Sequence, residues 1–336
     1  MIAVEAVKEG NQQRLYIYAL IDVGMALWEM GRHERISGVA SPSVLVVAST
    51  RPGELSICRG DHPVIRLRGG NVVSPLRSVL YRGPIAQFFA DATDQLIEEA
   101  IQRSGLPTSR IRRNEQDDGR DFAHLNFIEY ILLCTAELRH GGALLFVPEN
   151  IADNDSRLLE NVSLKYRLPS TRPRDALLTA MAVRLEHNDL YEQLHERSRV
   201  SRGQLEDLEA LDWNQRKYED TARDAARFIA SLTAVDGAVI LTDKLRIIGF
   251  GGEVRVSAPG TDTIYHATNE AGTQGTAAPF ISYGTRHRSS FRFVEGMHPA
   301  VAFILSQDGG VKAATQVGSR VVMWSYFEVG YTMAFS

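Results

Sequence analysis

The run Tyr283-Gly284-Thr285-Arg286-His287-Arg288-Ser289-Ser290 carries the side chains best suited to hold an anion. Gly284 lets backbone come close to a bound group, and Thr285 offers a hydroxyl donor. Arg286 and Arg288 present planar guanidinium forks that match phosphate oxygens in pairs. If the chain turns helical from Ser289, its first amides add donors at the positive end of the helix dipole. Alone, a basic run of this size is more often a solvated turn, but its neighbours point to a site. Upstream, residues 233–242 read as a helix end passing through Asp236-Gly237 into a strand that starts at Ala238. This sets a carboxylate at the lip of a sheet, where open α/β folds place ligands. Downstream, residues 300–305 form an apolar strand that ends in Ser306-Gln307-Asp308.

The order of these three motifs resembles the diadenylate cyclase family, the nucleotide-binding domain of the DisA type. The resemblance covers about residues 121–330 and implies an α/β fold, a mixed twisted sheet flanked by helices. It also implies the condensation of two ATP into cyclic di-AMP with release of pyrophosphate, supported by Mg²⁺ or Mn²⁺. By the same resemblance Asp236 and His287 are catalytic, with Asp236 beside the 3′-hydroxyl. Gly237, Ala238, Gly284, Thr285, Arg286, Arg288 and Ser306 contact the nucleotide, and Asp236, His287 and Asp308 are the metal candidates. Each protomer of the family holds one ATP, so a homodimer or higher oligomer meeting face to face is implied. The same pocket without turnover gives the alternative, a sensor that binds a nucleotide or cyclic dinucleotide second messenger and signals to a partner. A scaffold protein with a vestigial site is the third reading. The membrane-anchored branch of the family has two acidic residues after the serine, where this chain has Gln307 and Asp308. The chain between the first strand of the domain and Asp236 is longer than the family's.

Composition bounds the possibilities further. The 336 residues carry 37 basic and 41 acidic side chains, a net charge of −4, so any anion site must be local, and neither nucleic acid nor an anionic membrane is an expected partner. A hydrophobic content of 44% is ample for a core, and the length suits two domains. Cys58 and Cys134 lack CxxC spacing, which argues against a zinc site or a disulfide framework. The start of the chain shows no basic segment followed by an apolar core, and a cytoplasmic protein is expected. His187 and His195, eight apart around Glu192, lack HExxH spacing and read as surface histidines. Gly249, Gly251 and Gly252 form neither a Rossmann nor a P-loop fingerprint and mark a bulge or a close backbone approach to a ligand.

The elements that must position these residues follow from periodicity. Residues 1–112 read as a small α/β module: a helix over 14–32, strands at 43–48, 53–58 and 64–68, and an amphipathic helix opened by Pro84 and stopped by Gly105 and Pro107. The charged run 110–120, with Arg110, Arg112 and Arg113, is a solvated connector. Residues 120–333 form the second domain, opening with a helix from Asp121 that ends at His140-Gly141-Gly142, followed by an apolar strand at 143–147. His140 reads as a helix-capping residue. A helical insertion occupies about 151–220, with 151–172 irregular and helices at 176–194 and 205–232. A strand at 246–254 precedes a long loop over 255–282, and strands at 301–305, 311–315 and 321–327 complete the sheet.

Overall fold

The computed structural model describes residues 2–9, 12–20, 45–48, 54–59, 62–68, 71–73, 79–107, 123–151, 155–195, 197, 199–255, 262–307, 310–325 and 329. The chain divides into two compact units, Met1–Ser78 and Val79–Phe335. In the first, β1 (Ile2–Glu9) and β2 (Gln12–Leu20) form an antiparallel pair. An antiparallel meander follows, built from β3 (Leu45–Ala48), β4 (Glu54–Arg59), β5 (His62–Arg68) and β6 (Asn71–Val73). The helix expected over 14–32 is corrected here: residues 14–20 lie in β2, paired along their length with β1, and 21–32 lie outside the described residues. Leu15, Ile17 and Ala19 alternate with Tyr16 and Tyr18, so the segment also carries a strand's period of two.

The second unit is a mixed α/β structure around a nine-stranded sheet. Its strands are β7 (Gly142–Val147), β8 (Val162–Ser170), β9 (Ala238–Thr242), β10 (Ile247–Val254), β11 (Thr263–Ala267), β12 (Gly275–Pro279), β13 (Val301–Leu305), β14 (Val311–Val317) and β15 (Arg320–Trp324). They lie in the order β12-β11-β15-β14-β13-β7-β9-β10-β8. Only β7–β9 and β11–β15 are parallel pairs. The central strands read as unbroken apolar runs because both faces are covered. Leu144, Phe146, Val239, Leu241, Val301 and Phe303 face one core, and Ala143, Leu145, Ala238, Ile240, Ala302 and Ile304 face the other.

The first face is covered by α1 (Gly83–Ser104), α2 (Ala123–Glu137) and α5 (Arg202–Leu232), with α4 (Arg172–His195) packed on α5 and α1. The second is covered by α6 (Thr285–Gly296) and the short α3 (Ser156–Asn161), through Phe291, Phe293, Val294 and Leu158. Helix α2 is not amphipathic as packed. It is buried on every side from Ala123 to Leu133, and Tyr81 donates to its Asn126 and neighbours its Glu129 carboxylate. Pro84 sits in the first turn of α1, and Gly105 caps its end in the left-handed conformation.

Three boundaries differ from the sequence reading. Helix α1 belongs to the second unit, because Ile85 and Phe89 join the core around Phe146 while Leu96 and Ala100 pack on Leu178 and Leu185 of α4. The division therefore falls after Ser78, and the charged connector read over 110–120 lies outside the described residues. Residues 155–170, expected to be irregular, form α3 and the edge strand β8, which pairs antiparallel with β10. The insertion is thus partly sheet. The loop expected over 255–282 contains β11, only five residues long, and β12, whose small residues offered little periodicity to read.

Candidate functional site

Strand register brings the motifs to one end of the sheet. The parallel pairing Leu144↔Val239, carried back along both strands, sets Asp236 level with Gly141. The antiparallel pairing Leu305↔Gly142 places Ser306 at the same end, and Ile304↔Lys312 puts the start of β14 beside it. This is the amino end of the parallel pair β7–β9, not the carboxyl end where open parallel sheets place ligands. The reason is local: Asp236 ends the turn that follows α5, before β9 begins.

Gly237 has φ +117, and a Cβ there would stand 2.5 Å from the Gly251 carbonyl carbon and 2.8 Å from the Gly252 nitrogen. The turn carrying Asp236 therefore lies directly on β10, and Gly251 and Gly252 admit it. The register of β10 shifts between Ile247 and Gly249 and again before Gly252, so these glycines do mark a bulge. The close approach is made by the protein's own backbone. Lys165 of β8 reaches the Asp236 carbonyl oxygen at 3.4 Å and pairs with Glu253 at 3.4 Å. The Asp236 side chain is exposed and has no partner among the described residues.

The helix carrying the basic motif starts at Thr285, four residues earlier than the sequence suggests, so Thr285 to Arg288 form its first turn. Gly284 precedes it with extended backbone, and no side chain caps the first amides. A Cβ on Gly284 would meet nothing within 4 Å, so the fold itself does not demand glycine there. Successive side chains then fan around the helix axis. Arg286 lies over Gly141: a Cβ on Gly141 would stand 2.6 Å from Arg286 Nη1 and 3.0 Å from the Leu305 carbonyl oxygen, and φ there is +69.

His287 turns toward β14, where Lys312 Nζ lies 3.1 Å from its Nε2. An ammonium only donates, so Nε2 accepts and the ring proton sits on Nδ1. Burial first, then Lys312 and Arg286, push the His287 pKa down to about 4. Tyr283 packs against the rings of His287 and Phe291, and its hydroxyl contacts His266 Nε2. His266 Nδ1 lies 3.0 Å from Ser325 Oγ. Burial and then Lys312 lower the His266 pKa, and burial raises that of Tyr283.

Of the residues expected in the site, Asp236, Gly237, Ala238, Gly284, Thr285, Arg286, His287, Arg288 and Ser306 all belong to this end of the sheet, and Asp308 lies outside the described residues. They do not form one cluster. Asp236, just before β9, and Lys312 on β14 are three strand spacings apart, about 14 Å. Among the described residues no three His, Cys, Asp or Glu side chains gather as metal ligands. Three participants carried no sequence signal: Gly141 as the seat of Arg286, Lys312 as the partner of His287, and His266 as the partner of Tyr283. His140 contacts the Gly141 carbonyl at 2.8 Å through Nδ1. The arrangement suits a ligand lying across the strand ends, with an anionic group at Arg286 and a hydroxyl near Asp236 on the neighbouring strand. Among the described residues no helix is long and apolar enough to cross a membrane. No protein-family model and no curated protein matches the chain.

Proposed function

We propose that this end of the sheet binds ATP and that two copies of the protein, meeting face to face, condense two ATP into cyclic di-AMP. The observation that carries the reading is the seating of Arg286 at Gly141, on the strand flanked by those bearing Asp236 and Ser306. Asp236 is level with Gly141 on the neighbouring strand. A guanidinium suited to phosphate and a carboxylate suited to orient a hydroxyl therefore stand one strand spacing apart, about 5 Å, which supports the reading. In the reaction each 3′-oxygen forms a bond to the α-phosphorus of the other nucleotide, and the bond from that phosphorus to the bridging oxygen breaks. Two pyrophosphates leave, and the two hydroxyl protons pass to solvent or to the departing pyrophosphate. Arg286, Arg288 and the uncapped amides of α6 hold the triphosphate, which is where such chemistry gains most from fixed positive charge. Asp236 accepts the hydrogen bond that aims the 3′-hydroxyl.

A single carboxylate with substrate phosphates is an ordinary way to hold Mg²⁺, and Asp236 is the exposed carboxylate placed for it. A bound Mg²⁺ or Mn²⁺ ion would supply charge neutralisation at the phosphates. The contact of Lys312 with His287 supports a second reading, a sensor that holds a nucleotide or cyclic dinucleotide without turnover, because that histidine already accepts from a cation. Incubation with ATP and Mn²⁺, followed by mass spectrometry for cyclic di-AMP, separates the two. The cyclase reading predicts product that Asp236→Asn abolishes while ATP binding persists. Calorimetric binding of ATP or cyclic di-AMP without product leaves the sensor.

A further inference from the structure

We propose that Lys312 is a phosphate-binding residue of this site, its ammonium taking beside His287 the place of a divalent cation, so that polyphosphate is held there without metal. The inference rests on the nucleotide reading of the site and assigns a residue that reading did not include. Lys312 is the one charged residue in the strand sequence Val-Lys-Ala-Ala-Thr-Gln-Val, half-buried on the face covered by α6. One of its three N–H groups serves His287 at 3.1 Å, and no carboxylate pairs with it among the described residues.

Its surroundings make the ligand's charge clear. His287 accepts from it, His266 and Tyr283 occupy each other on the adjacent side, and Arg286 adds a second cation on the same helix turn. Among the described residues, this partly buried ammonium stands with neutral and cationic groups and has no counter-charge of the kind such groups ordinarily have. Lys312 stands opposite Ile304, two residues short of Ser306, so its ammonium lies toward the strand ends that carry the rest of the site, and its other N–H groups have no partner among the described residues. An anion spanning Arg286 and Lys312 satisfies both, and a di- or triphosphate has the charge and the oxygens to do so. A cation at His287 Nε2 would first have to displace this lysine.

Calorimetric titration of inorganic triphosphate into the full chain in EDTA tests the proposal, with Lys312→Met, Lys312→Thr and Lys312→Arg beside the parent and thermal unfolding as the check on folding. Thr suits a strand, so one neutral variant remains readable if Met packs badly. The expected result is metal-free binding by the parent, weakened about ten- to hundredfold in either neutral variant, the range for a hydrogen bond to a charged group, and largely recovered in Lys312→Arg. Binding unchanged in the folded neutral variants, or parent binding that appears only when Mn²⁺ is added, overturns it. The product assay keeps the two claims apart. Cyclic di-AMP formation with Lys312-independent triphosphate binding removes this inference alone, and Lys312-dependent binding without product removes the cyclase alone.

Discussion

Two glycines with nearly the same positive φ allow the placement of Arg286 to be tested against its own control. Gly105, at the end of α1, has φ +68 and open space where a Cβ would go; Gly141 has φ +69 and would direct its Cβ at Arg286. Alanine in the left-handed region costs roughly 1–2 kcal/mol, partly offset by the smaller entropy of the unfolded alanine chain, leaving about 1 kcal/mol at either site. A loss of that size lowers Tm by about 2–4 °C in a unit of this size. At Gly141 the methyl would also meet Nη1 at 2.6 Å, where ordinary contact begins near 3.4 Å, so the guanidinium must retreat by about 1 Å. Nη1 is the end of a flexible side chain and moves at little cost; the Leu305 carbonyl at 3.0 Å adds only a few tenths of an ångström of adjustment. Gly141→Ala and Gly105→Ala should therefore unfold within about 1 kcal/mol of each other. Their ATP affinities should part by about ten- to hundredfold, the worth of a charge-assisted contact to phosphate. Calorimetry on both variants reads this directly. Equal affinities in the two would refute the placement of Arg286 as a phosphate ligand.

Other consequences follow from burial and close packing. Gly237→Ala sets a methyl 2.5 Å from backbone that has no room to move, so chemical denaturation should show a loss of at least about 2–3 kcal/mol, and a loss below about 0.5 kcal/mol would contradict the packing of the Asp236 turn on β10. At the other end of β7 and β9, burial and then the neighbouring Glu149 raise the Asp243 pKa from 3.8 to about 6. Its contribution to stability is whole below pH 3.8 and is lost as pH rises through about 6. Asp243→Asn should be near neutral at pH 4 and more stable than the parent by on the order of 1–2 kcal/mol at pH 7.5; a difference independent of pH would count against this. Buried His124 acts in the opposite sense, since its pKa falls from 6.5 to about 3 by desolvation, so stability tied to it is whole above pH 6.5 and declines toward pH 3.

Much of the second unit could be read from local pattern. Strands β7, β9 and β13 are apolar runs because they are buried on both faces, and α1 announced itself through Pro84, its spaced apolar residues and Gly105. Elements whose stability comes from distant partners were harder. Strand β8, with Lys165, Arg167 and Pro169, is an edge strand made by pairing with β10, and β12 is built from Gly, Thr, Ala and Pro alone. The Gly10-Asn11 dipeptide before β2 is a hairpin signal that outweighs the apolar periodicity read there as helix. Of the candidate site, the convergence of the Asp236 turn and the Arg286 turn at one end of the sheet was legible, because each stands in a motif with its own turn chemistry. Lys312 and Gly141 were not, since a lysine in a strand and a glycine after a helix acquire their meaning only when β14 and β7 are set beside α6.

The central claim is that Arg286 and its neighbours form a nucleoside triphosphate site, and 3′-deoxy-ATP tests it most directly because it lacks the attacking hydroxyl and reports binding alone. The account predicts saturable calorimetric binding to the parent, weakened about ten- to hundredfold by Arg286→Ala, with unfolding temperature little changed. Absence of binding to the parent, or equal affinity in Arg286→Ala, would contradict it.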